Sequence, residues 1–290
     1  MPFLIIAIAF LVLLFIIHQA AQATAQKIKA NADPYPLELL QKPISGDEVI
    51  IQREDGTKIR AISAGSGPTV ILAHGYGYSL SEWNIVWTML ISVGYQVIAF
   101  DQRGHGQSTI GRDGIGSKQM AEDYKAVLAH FDVRDAIFVG HSMGSFLMLI
   151  FMLSYPEIVT QRLKGAVIFA GTAGNVVKGS TQNRLQIPLI KLGIIERVAK
   201  SGVYGWLFGA SLYGDQPSPA GIQAFLEIFN EQPHQKLIPI LEALANEDYY
   251  ARLGEISLPC VVICGEKDKT TPRWHSERMA AEIPGARNIW

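Results

Sequence analysis

Apolar positions follow three regimes along the chain. From Pro2 to Ile17, sixteen consecutive residues are apolar. From Glu48 to Ala170, and again from Cys260, short apolar runs alternate with longer stretches of helical periodicity. The runs Glu48–Arg53 and Lys58–Ala64 flank Asp55-Gly56, which predicts a hairpin. Thr69–Ala73, Gln96–Phe100, Ala136–Val139, Ala166–Ala170 and Cys260–Cys264 predict further strands. Between them, Ser81–Val93 reads as a helix, with Ser81 as N-cap and Gly94 as stop. Ser117–Phe131 places Met120, Tyr124, Val127, Leu128 and Phe131 on one helical face. Met143–Leu153 and Arg273–Glu282 complete the helices. Apolar strands alternating with helices predict an α/β fold with a mostly parallel sheet covered on both faces. Ligands bind such sheets at the carboxyl ends of the strands. His74-Gly75, Asp101, the Ser142 region and Glu266–Asp268 all fall there.

About ninety residues between the fourth and fifth of these runs break the alternation. Thr181–Ala251 is helical in pattern and carries Tyr204, Trp206, Phe208, Phe225 and Phe229. The expected organisation is a core of residues 47–172 and 252–290 with a helical cap inserted over 173–251. Most of the cap aromatics are expected to pack against the body, and some to line a substrate pocket. The chain has no internal repeat.

The first regime predicts a hydrophobic anchor or an export signal over residues 1–25. A sixteen-residue helix covers about 24 Å, and a few residues of His18–Ala25 bring it near the ~30 Å hydrocarbon thickness. Ala21-Gln22-Ala23 and Ala23-Thr24-Ala25 fit a signal-peptidase site, but no basic residue precedes the apolar run. Lys27 and Lys29 follow it instead, which favours an uncleaved anchor with the catalytic domain on the cytoplasmic side. Export after cleavage is the alternative. Residues 26–46, interrupted by Asp33-Pro34-Tyr35-Pro36 and Pro43, read as a tether.

With 49% hydrophobic residues, 18% charged residues and a net charge of −1, the 290-residue chain is long enough for a buried core. It lacks the basic balance of a nucleic-acid binder. Cys260 and Cys264 lie four apart on one strand, with Cα atoms about 13 Å apart. That separation excludes a disulfide and predicts two buried thiols.

Gly140-His141-Ser142-Met143-Gly144 fits G-x-S-x-G between a predicted strand and a predicted helix. The turn is sharp enough to require glycine at both flanks. Ser142 then projects as a nucleophile at a helix N-terminus, where the Met143 N–H is free to bind an oxyanion. The His74-Gly75-Tyr76-Gly77 loop can bring the Tyr76 N–H to the same oxygen, and two such donors supply several kcal/mol to a transition state. The His74 imidazole is expected to order its loop. Asp101–Ser108 reads as a structural turn, with His105 as a minor candidate base.

These segments, with Gly265-Glu266-Lys267-Asp268 and Thr271-Pro272, resemble the α/β-hydrolase-fold serine hydrolases over roughly residues 47–290. Ser142 separates the chain from epoxide hydrolases and haloalkane dehalogenases, which carry aspartate at the elbow. The Gly-His-Ser-Met-Gly spelling and the apolar front end are similar to monoacylglycerol lipases and lysophospholipases, although Ser145 stands where those commonly have glycine. The resemblance implies that Asp268 is the triad acid, with Glu266 a weaker alternative. It implies ester hydrolysis through an acyl-enzyme on a small-molecule or lipid ester, without metal or cofactor. The triad order is serine, acid, histidine. After Asp268 only His275 remains, so the general base is expected beyond Trp290, with His275 as a substitute. A chain ending before its base would be nearly inert, since losing a triad histidine costs on the order of 10⁶ in kcat. Carbon–carbon bond hydrolysis, cofactor-free haloperoxidase or perhydrolase chemistry, and a binding homologue without catalysis are the other readings of this site.

Overall fold

A computed structural model of the chain describes residues 2–290. Among these residues one eight-stranded sheet forms the centre, in the order β1-β2-β4-β3-β5-β6-β7-β8. The strands are β1 (Asp47–Gln52), β2 (Lys58–Ala64), β3 (Thr69–Ala73), β4 (Gln96–Phe100), β5 (Ala136–His141), β6 (Leu163–Phe169), β7 (Cys260–Ile263) and β8 (Arg287–Ile289). β1 and β2 pair antiparallel across the Asp55-Gly56 turn, and β2 pairs antiparallel with β4. All pairs from β4 through β8 are parallel. This is the mostly parallel sheet that the alternation of runs predicts, in the α/β-hydrolase arrangement that the resemblance implies.

Alternating side chains of each strand serve two cores. Ile71 and Ala73 of β3 face the larger one, with α4 (Ser117–His130) and α5 (Met143–Ser154). Val70 and Leu72 face the other, with Trp83 and Trp87 near and on α3 (Asn84–Ser92). α5 buries eleven of its twelve residues. A helix apolar all round fits only an interior position, and this one runs directly from the end of the central strand β5.

Several predicted boundaries shift, two of them for evident local reasons. Ser81 is not the N-cap of the helix after β3. Ser79 accepts from the Ser81 N–H at 3.3 Å and caps a 3-10 turn over Leu80–Trp83, and α3 starts only after it. The fourth core run ends at Phe169 rather than Ala170, whose φ of +44° turns the chain out of the sheet.

α6 (Pro156–Arg162) leads back into β6. The cap comprises α7 (Thr181–Lys191), α8 (Ile194–Ala199), α9 (Tyr204–Ala210), α10 (Pro219–Glu231) and α11 (Ile238–Asn246). Its own cluster contains Phe208, Phe225 and Phe229. α12 (Arg273–Glu282) packs beside β7 and β8.

At the front of the chain, α1 (Pro2–Lys29) is one 28-residue helix whose large apolar residues from Phe3 to Ile17 are all exposed. At 1.5 Å per residue it is about 42 Å long, enough to cross a bilayer. Its last third is covered on one face only: Ala21, Ala25 and Ile28, spaced to share that face, are buried, and Ile28 joins the cap cluster. The tether expected over residues 26–46 is pinned along much of its length. Asn31 Nδ2 donates to the Pro217 carbonyl at 3.1 Å, and the Asp33 carboxylate accepts from the Ala220 N–H at 2.5 Å and from the Ser218 hydroxyl. The short helix α2 (Leu37–Leu40) packs on α10, and Gln41 Nε2 donates to Glu227 at 2.6 Å.

Candidate active site

The turn from β5 into α5 forces both flanking glycines. A Cβ on Gly140 would stand 2.6 Å from the Ser145 backbone, and one on Gly144 would stand 2.3 Å from the Ala73 carbonyl oxygen. Those contacts lie in backbone that cannot yield without moving a central strand. Between them Ser142 takes φ +49° and ψ −114°, a conformation that non-glycine residues rarely occupy. Its own N–H still extends the sheet by donating to Phe169 at 2.9 Å. Ser145, fully buried, donates its hydroxyl to the Ser142 carbonyl at 2.7 Å. Space for that hydroxyl exists because residue 171 is glycine: a Cβ there would stand 2.3 Å from Ser145 Oγ.

The Met143 N–H opens α5 and, like the Tyr76 N–H, donates to no protein acceptor among the described residues. The loop that presents Tyr76 is fixed from three sides. His74 is wholly buried: its Nε2 accepts from the Gln102 N–H at 3.0 Å, which leaves Nδ1 as the donor to the Gly75 carbonyl at 2.8 Å. Burial holds this imidazole below its ordinary pKa, and both nitrogens are occupied, so it orders the loop. The Gly75 N–H donates to Glu82 Oε2 at 2.8 Å. The Tyr76 hydroxyl meets Nδ1 of His234 from the cap at 3.3 Å.

Glu82 has a second partner. Its Oε1 lies 2.5 Å from His141 Nδ1, an ion-pair separation off the line of the ring N–H. Burial pulls the His141 pKa down, but Glu82, with Asp268 helping, outweighs it and raises the value above the usual 6.5. The His141 ring sits 5.1 Å from that of Phe169 and lies beside Ser142. Glu82 thus ties the Tyr76 loop to the elbow. Sequence patterning gave no signal for this, because Glu82 sits in a stretch read as an ordinary amphipathic helix.

Asp268 lies after β7. Its Oδ1 accepts from the N–H groups of Thr270 and Thr271, both at 2.8 Å, and its Oδ2 is 2.8 Å from the Thr271 hydroxyl. Glu266 is exposed on the same loop. His275, at the start of α12, is fully buried; its Nδ1 is 3.0 Å from the Thr172 hydroxyl and also contacts the Tyr250 hydroxyl. Its ring stacks on Trp274 with centroids 3.7 Å apart. Burial drives its pKa down to about 3. His105 is buried between His74 and Tyr76 with its Nδ1 3.2 Å from the Arg103 carbonyl. Asp101 accepts from the Leu80 and Gln107 N–H groups at 2.8 and 3.0 Å and so closes the Asp101–Ser108 turn. Cys260 and Cys264 are both free and buried, and burial pushes the Cys260 thiol up to about 12.

Ser142, Asp268, Tyr76 and His141 share one cavity of about 260 Å³, whereas neither His275 nor His105 lines it. Its floor is polar and its roof apolar: Phe208, Leu212, Phe225 and Phe229 come down from the cap. Among the described residues no cluster of histidine, cysteine or carboxylate side chains is placed to hold a metal.

The chain belongs to the alpha/beta hydrolase family, whose model matches residues 70–289. It is similar to the non-heme chloroperoxidase CPO-A1 of Kitasatospora aureofaciens, at 26% identity over 242 residues, covering 81% of this chain and 86% of the other. The bifunctional esterase/perhydrolase DCH of Acinetobacter calcoaceticus is 24% identical, with 74% and 80% covered. Among solved structures, an esterase from Exiguobacterium antarcticum superposes with a TM-score of 0.73 at 23% identity, covering 84% and 90% of the two chains. The family is one of enzymes, esterases among them.

Proposed function

We propose that this protein is a membrane-anchored serine hydrolase of carboxylic esters with apolar, lipid-like groups. The observation that carries the reading is Ser142, held at a positive φ on the floor of an apolar-roofed cavity that Tyr76 also lines, with the Tyr76 N–H and that of the next residue, Met143, both unengaged among the described residues. Ser142 Oγ attacks the ester carbonyl, its proton passes to a histidine base, and the Tyr76 and Met143 N–H groups bind the tetrahedral oxyanion. The base then protonates the leaving alcohol. Water, deprotonated by the same base, attacks the acyl-enzyme and releases the acid. Asp268 orients the base and stabilises its cation. Of the seven histidines in the chain only His141 lines the cavity, and its Nδ1 is turned to Glu82. The reading gives the role of base to a histidine held by Asp268, in the order serine, acid, histidine. His275, neutral and enclosed by Thr172 and Tyr250, serves as packing for α12.

Turnover of p-nitrophenyl esters by the full-length gene product tests the reading. Ser142→Ala should lower kcat by about 10⁶-fold and Asp268→Asn by about 10⁴-fold. Turnover that survives Ser142→Ala overturns it.

The named activities of the relatives favour a second reading on the same acyl-enzyme. The similar proteins include a chloroperoxidase and an esterase/perhydrolase. Hydrogen peroxide in place of water would attack the acyl-enzyme carbonyl and leave as the peracid, with Ser142 regenerated. Peracid formation from acetate ester and peroxide, compared with plain hydrolysis, separates the two.

A further inference from the structure

The apolar run of α1 ends at Ile17, and contact with the cap begins at the very next residue. His18 Nδ1 is 3.1 Å from the Tyr204 hydroxyl at the start of α9, and Lys29 Nζ lies 4.7 Å from the centre of the Trp206 ring. With Ala21, Ala25 and Ile28 buried, the helix is clamped over its last three turns. No spacer separates the apolar run from the body of the protein. A bilayer that holds Pro2–Ile17, a run about 24 Å long, therefore has its polar boundary at or about a turn beyond His18 and Tyr204, and the headgroup layer beyond it is only about 5–7 Å deep.

The cap surface there has the composition of an interfacial helix layer. α7, α8 and α9 pack on one another in series. On their outer side Leu185, Leu192, Ile194 and Tyr204 are exposed. Leu185 on α7 and Leu192 at its C-cap are seven apart, and both are exposed. Between Lys178 and Tyr204 the chain has five basic residues and one acidic residue, Glu196. Lys191 pairs with Glu242, while Arg184, Arg197 and Lys200 are exposed, as are Lys27 and Lys29 on α1. Exposed leucines flanked by cations match an anionic headgroup layer over an apolar one. The same helices are one layer thick above the site: Ile187 and Ile190 on the inner side of α7 line the cavity, and Leu212, 37% exposed, lines it from a position open to the outside.

We propose that the outer face of α7–α9 lies in the headgroup layer of the membrane that holds α1, binds anionic phospholipid there, and lets an ester pass from the membrane surface to Ser142 beside Leu212. This rests on the reading of α1 as a membrane anchor. It adds that the cap is a second membrane contact.

The test uses the full chain in vesicles of phosphatidylcholine with and without phosphatidylglycerol. Because both native thiols are buried, single variants Phe10→Cys, Leu185→Cys, Leu192→Cys and Arg134→Cys can each be labelled with bimane. Arg134 is an exposed control at the start of β5, at the opposite ends of the strands from the cavity. Brominated lipid should quench the label at position 10 in both vesicles. At 185 and 192 it should quench strongly with phosphatidylglycerol and less without it, and at 134 in neither. Quenching at 10 with labels at 185 and 192 as unquenched as 134 overturns the cap contact and leaves the anchor standing. No quenching at 10 overturns the anchor itself, and the cap contact with it.

Discussion

Ser142 carries a Cβ in a backbone conformation that costs a residue of its kind about 1–3 kcal/mol. Ser142→Gly removes that cost. It should raise the thermal midpoint while abolishing ester turnover, a pairing that calorimetry and a p-nitrophenyl assay read together. Gly144→Ala acts in the opposite sense. Its methyl group meets the Ala73 carbonyl at 2.3 Å, so β3 or α5 must shift, and urea unfolding should show a loss of at least about 1–3 kcal/mol. His275 gives a pH prediction with a definite sign. Its folded pKa, about 3, lies below the usual 6.5, so the unfolded chain takes up a proton that the folded chain refuses. The neutral ring's contribution is fully present above pH 6.5 and is lost as pH falls towards 3. The stability difference between wild type and His275→Phe should therefore shrink with acid over that window, by up to about 1.4 kcal/mol per pH unit. A difference independent of pH would contradict the buried neutral ring.

At the scale of elements, the Asp101–Ser108 turn is held to α4 and to the β1–β2 hairpin by one guanidinium. Arg103 donates to both oxygens of Asp123 at 2.7 and 2.9 Å and to Asp55 at 2.6 Å, all of them buried. Removing one side of a buried ion pair costs about 3–5 kcal/mol, so Arg103→Met should lower the urea midpoint by that equivalent. The clamp on the cap is weaker. Asp33→Ala deletes two acceptors at the start of α10 and should cost about 0.5–2 kcal/mol. Much of this element level was legible beforehand. The strands are short apolar runs between polar turns, and their period and length leave few alternatives. G-x-S-x-G is readable because steric exclusion at Gly140 and Gly144 leaves a direct trace in residue type. The capping by Ser79 was not legible, because Ser79 and Ser81 are equivalent in composition and only the local turn decides between them. The bridge from Glu82 to Gly75 and His141 was also hidden. It joins residues 7 and 59 positions apart in sequence through contacts that no periodicity encodes.

The whole molecule joins three parts. A parallel sheet carries Ser142 and Asp268 at the carboxyl ends of β5 and β7, the cap roofs the cavity with phenylalanines, and α1 is fastened to the outside of that cap. The anchor-like run was visible in the sequence, but its docking was not, because Ala21, Ala25 and Ile28 are unremarkable within an apolar helix and gain meaning only against Tyr204 and Trp206. The cavity, at about 260 Å³, lies just below the ~300–1,000 Å³ common for ligand sites. The central claim is that Ser142 is the nucleophile. Intact-mass and peptide mapping of the full-length gene product after treatment with a fluorophosphonate tests it most directly. The account predicts one phosphonyl adduct, on the peptide containing Ser142 and lost in Ser142→Ala; no adduct, or an adduct that survives that substitution, would contradict it.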